Sequence, residues 1–81
     1  MVRKNFGFDN MLERDSVYDK LEKVFEKTKG EINTLDGVKV VFSDGWFMFR
    51  KSNTEPIIRF SSESKEKRIA EKFLRDFKKL F

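Results

Sequence analysis

The feature that most restricts this chain is the close punctuation of its middle third by turn residues. Four short β-rich runs, at 32–35, 38–42, 46–50 and 57–62, are separated only by Asp36-Gly37, by Ser43-Asp44-Gly45 and by a polar segment ending at Pro56. An Asp-Gly pair between apolar runs is a favoured tight turn, and runs of this length read as strands joined by hairpins. Within 46–50 the residues alternate: Trp46, Met48 and Arg50 share one face, Phe47 and Phe49 the other. Both faces carry large apolar groups. The strand is therefore buried on both sides, or presents a patch that meets another domain.

Helical periods flank the strands. Val17, Leu21, Val24, Phe25 and Thr28 fall on one face, with Ser16 as the expected N-cap, Asp19 three positions on, and Gly30 as the stop. A second helix is expected from about residue 65 to the end, capped by Ser62 or Ser64. Its stripe is Ile69, Ala70, Phe73, Leu74, Phe77, Leu80 and Phe81, opposite a face of interleaved charges. The expectation is an α+β domain of two layers: a four-stranded antiparallel sheet with two helices on one face. Residues 1–14 are the hardest to read and are expected to form an arm or a short edge strand, with residues 15–81 as the domain. Lys4-Asn5-Phe6-Gly7-Phe8 has some likeness to an RNA-binding strand motif, but Asp9 and Asn10 break the apolar continuation that motif needs.

Composition removes several chemistries. The 81 residues contain neither cysteine nor histidine, which excludes disulfides, thiol nucleophiles and the commonest general base. A formal charge of +4 favours anionic ligands without specifying nucleic acid. No apolar run approaches a membrane span and no signal-peptide pattern is read, so a cytoplasmic location with no membrane partner is expected. Asp36 and Asp44 each precede a glycine in separate turns. They lack the spacing of a hard-cation loop, so no metal site is expected.

The chemistry concentrates in Arg50-Lys51-Ser52-Asn53-Thr54-Glu55-Pro56. A guanidinium matches a phosphate with two parallel hydrogen bonds, Ser, Asn and Thr add short-reach donors, and successive N–H groups in such a turn can form an anion nest. The same residue types are also ordinary turn formers, so the loop alone leaves both readings open.

Together with Asp36-Gly37-Val38-Lys39-Val40, Asp44-Gly45-Trp46 and Ile57-Ile58-Arg59, this loop resembles the C-terminal domain of the α-D-phosphohexomutases, the phosphoglucomutase and phosphomannomutase enzymes. The resemblance spans about residues 15–81. Lys51 departs from the proline or alanine usual in the pattern. It implies a TATA-binding-protein-like fold and a loop that grips the phosphate of a hexose phosphate, with Arg50, Ser52, Asn53 and Thr54 as the holding residues. Lys51 and Arg59 would be secondary supports, and Glu55 a structural partner rather than a catalytic acid. It also implies that the phosphoserine, the magnesium loop and the sugar-reading loop belong to other domains, present in cis or in trans. No catalytic residue and no cofactor is then expected in this chain, and magnesium is implied only for the complete enzyme. The competing expectation is a stand-alone module binding nucleic acid or protein, for which the basic balance and Phe-rich strands speak.

Overall fold

The computed structural model describes residues 1–25, 31–33 (backbone only) and 37–80. Thr28, Gly30, Asp36 and Phe81, and the expected strand beyond Asn33, lie outside the described residues. The elements in chain order are β1 (Val2–Gly7), α1 (Met11–Phe25), β2 (Glu31–Asn33), β3 (Val38–Phe42), β4 (Gly45–Lys51), β5 (Ile57–Ser64) and α2 (Lys67–Lys78). The strands make one antiparallel sheet in the order β1-β5-β4-β3-β2. The four expected strands form a meander. The N-terminal segment adds a fifth, β1, along the free edge of β5.

Alternation along β4 decides where the helices go. Phe47 and Phe49 are buried with Val38, Val40, Ile58 and Phe60, and both helices cover that face. Phe77 of α2 is the centre of the core: its ring lies 4.7 Å from that of Phe60, 5.1 Å from Phe49 and 5.6 Å from Phe6 on β1. From α1, Tyr18 meets Phe49 edge-on at 5.4 Å and Phe25 meets Phe47 at 5.1 Å. Tilted and edge-on rings at these separations interact favourably beyond the area they bury. The core is thus built around aromatic rings, as ten phenylalanines in 81 residues suggest. On the opposite face Trp46 and Met48 are only partly covered. The sheet is open on that side.

Two expected caps are corrected. Helix α1 starts at Met11, well before the expected cap Ser16, because Asn10 is the N-cap: its Oδ1 accepts the Glu13 N–H at 2.8 Å. A short polar side chain just before a helix satisfies one of the four orphan N–H groups of the first turn. The exposed Ser16 lies within the second turn, where those donors are already bonded. Helix α2 starts at Lys67 with Glu66 at the N-cap and no side-chain cap bond. Ser64 instead accepts the Glu66 N–H at 3.2 Å. Ser62 points into the core, and its hydroxyl donates to the Ala70 carbonyl at 2.8 Å, tying α2 to β5.

Candidate functional site

The loop between β4 and β5 closes on itself. Ser52 N–H donates to the Ile57 carbonyl at 3.2 Å, and Ile57 N–H to the Glu55 carbonyl at 2.8 Å around Pro56. The Ser52 hydroxyl accepts both the Thr54 and the Glu55 N–H at 3.3 Å. This is the local turn that a serine side chain makes when it replaces a backbone acceptor. Three successive free N–H groups are therefore not on offer, which corrects the nest expectation. Of the amides at 52–57, that of Asn53 is the one without an internal partner among the described residues.

What holds the loop from beneath is a residue that the sequence reading missed. Arg14 of α1 is 5% exposed, and its Nη1 donates to the carbonyls of Ser52 and, at 2.9 Å, Glu55. Its Nε and Nη2 both reach Asp15 Oδ1, at 3.0 and 2.9 Å. A planar guanidinium can serve both sides because its donors point in fixed, divergent directions. The signal was there at helical spacing: Arg14, Tyr18, Leu21 and Phe25 make one stripe, and a charged residue in such a stripe is either an error of phase or a buried clamp. On the far side, Phe8 N–H donates to the Pro56 carbonyl at 2.9 Å, so the end of β1 anchors the loop exit.

The expected site residues divide. Arg50 is exposed on the open sheet face, makes no ion pair among the described residues, and is not drawn into the core. Asn53 and Thr54 are exposed at the loop tip. Ser52 is 8% exposed, so its first duty is to shape the turn. Lys51 leans on α1: its Nζ lies 3.8 Å from Asp15 Oδ1 and 5.0 Å over the Tyr18 ring. Burial, then the charge of Glu22, pushes the Tyr18 phenol above its ordinary value near 10. Glu55 works through its backbone while its side chain stays exposed. Arg59 sits directly opposite Arg50 across the β4–β5 ladder. Gly37, at φ +128°, lets β3 begin against β4 here, since a Cβ would meet the Phe49 carbonyl at 2.7 Å and Arg50 Cβ at 2.9 Å. Arg50 lines a cavity on the open face together with Arg59, whereas Ser52, Asn53 and Thr54 do not line it.

Among the described residues no three carboxylates gather into a cation site.

Comparison with known proteins decides what this arrangement is related to. Residues 9–80 match the family "Phosphoglucomutase/phosphomannomutase, C-terminal domain". The chain belongs to this family. The phosphohexomutase domain is 38% identical over 66 residues to the phosphoglucosamine/phosphogalactosamine mutase of Sulfurisphaera tokodaii, covering 82% of this chain and 14% of that protein. It is 42% identical over 62 residues to the phosphoglucomutase/phosphomannomutase of Thermococcus kodakarensis, covering 76% of this chain and 14% of that one. With the phosphoglucosamine mutase of Methanococcus maripaludis the identity is 44% over 61 residues, covering 75% and 13%. The domain thus spans about one seventh of the relatives it matches. These matches do not favour the competing nucleic-acid or protein-binding module. No helix among the described residues is long and apolar enough to cross a membrane.

Proposed function

We propose that this domain grips the phosphate of a hexose phosphate during intramolecular phosphoryl transfer, working with the other domains of a phosphohexomutase in cis or in trans in the cytoplasm. Arg50 supplies the charge and the two-pronged fork. Asn53 and Thr54 offer neutral donors from the loop tip, and Ser52 sets the turn that presents them, with one O–H left to give. Lys51 and Arg59 add positive field. The observation that carries the reading is an exposed Arg50, without an ion pair among the described residues, beside a loop clamped by Arg14, in a chain of this family. Phosphoryl transfer rests on positioning and charge stabilisation, and a rigid loop serves positioning best.

Titration of the labelled domain with glucose 1-phosphate, followed by amide NMR, tests it. Shifts should cluster at residues 50–54 and vanish in Arg50→Ala. Shifts spread elsewhere, or unchanged by that substitution, would count against the loop as the phosphate site.

A further inference from the structure

The open face of the sheet carries a second concentration of positive charge, built partly by a strand that precedes the family match. In register, Arg59 lies opposite Arg50 on one side and Asn5 on the other, while Arg3 pairs with Ser61 one row along. Arg3, Asn5, Trp46, Met48, Arg50 and Arg59 line one cavity of about 510 Å³. That size falls in the range of small-ligand sites, roughly 300–1,000 Å³. Among the described residues no carboxylate lines the cavity. Glu63, the acidic residue of β5 on this face, sits further along, opposite Trp46.

Packing does not explain these arginines. Like charges directly opposite on neighbouring strands destabilise a sheet. Arg3, Arg50 and Arg59 are all exposed, and none makes an ion pair among the described residues. A bound anion would convert the repulsion between them into shared, charge-assisted hydrogen bonds. Beneath them the floor is not polar. Trp46 and Met48 are half-buried, and Lys39 Nζ lies 4.6 Å over the indole ring.

We propose that this face is a second anion site, which takes a phosphorylated small molecule. Arg3 and Arg59 fork onto the phosphate oxygens, Asn5 donates alongside, Arg50 borders the site on the loop side, and the carbon skeleton rests on Trp46 and Met48. Strand β1 completes it: Arg3 and Asn5 belong to Val2–Gly7, ahead of matched residues 9–80. Arg50 and Arg59 also serve the loop reading, so Arg3 and Asn5 are the residues that set this site apart from it.

Trp46 is the chain's sole tryptophan and lines the cavity, so its emission reports occupancy. Pyrophosphate should change that emission saturably and shift the amides of residues 3, 5, 59 and 61. Arg3→Gln and Arg59→Gln should each weaken the affinity about ten-fold, by removing one charged donor pair. Asn53→Ala should leave it unchanged, and unaltered urea midpoints would show that all three variants fold. Neither an emission change nor those amide shifts at millimolar pyrophosphate would overturn the proposal, as would binding that survives both arginine substitutions. Loss of binding in Asn53→Ala would assign the anion to the loop instead. Binding of single-stranded oligouridylate with no response to pyrophosphate would make the face a nucleic-acid surface.

Discussion

At the scale of single residues, Arg14 shows how one buried charge can decide a site it does not itself form. Its guanidinium reaches two loop carbonyls and the neighbouring Asp15 carboxylate, so removing it strands acceptors as well as a partly buried anion. Leaving a buried acceptor unsatisfied costs about 1–3 kcal/mol, whereas an exposed arginine is worth little. Arg14→Met, which keeps most of the apolar stem, is expected to lower unfolding free energy by about 3 kcal/mol in urea titrations. It should also shift loop amides 52–55. Arg50→Met, at an exposed position, should leave the urea midpoint nearly unchanged. The sequence made Arg50 legible because an arginine beside Ser-Asn-Thr in a turn has an obvious chemical use. Arg14 was not legible, because a charged residue early in a helix reads as solvated until its stripe with Tyr18 and Leu21 is traced.

At the scale of elements, the strands were easier to read than the helix ends. Period-two alternation in 46–50 fixes which face Phe47 and Phe49 take, and a slip of one residue would put both in water. That signal is global to the strand. A cap, by contrast, rests on one side chain and competes with every nearby Ser, Asp or Asn. Ser16 reads as the cap because Asp19 follows it at capping-box spacing, yet Asn10 stands where the chain leaves β1 and must turn. Asn10→Ala is expected to cost about 1 kcal/mol by urea denaturation, and Ser16→Ala less than about 0.5. The reverse order would mean that the first turn of α1 frays and that the helix gains its stability further in. Strand β1 was the faintest element, since Gly7 weakens a strand signal. Its edge pairing with β5 and the contact of Phe6 with Phe77 secure it, and both are long-range.

At the scale of the whole molecule, the chain makes one domain that spans about one seventh of the relatives it matches. The domain carries positive charge on an open sheet face and at a clamped loop. It has no histidine, and among the described residues no carboxylate cluster could hold a divalent cation against a transferring phosphate. A phosphate grip alone lowers the free energy of the bound ground state and of the transition state alike, which raises occupancy without accelerating the chemical step. The purified chain is therefore expected to convert no glucose 1-phosphate to glucose 6-phosphate above the buffer blank, even where NMR shows the loop occupied. The two readouts must be taken on the same sample, since binding without turnover separates a positioning domain from an unfolded one. Conversion that tracks chain concentration and disappears in Arg50→Ala would instead place catalytic groups inside these 81 residues.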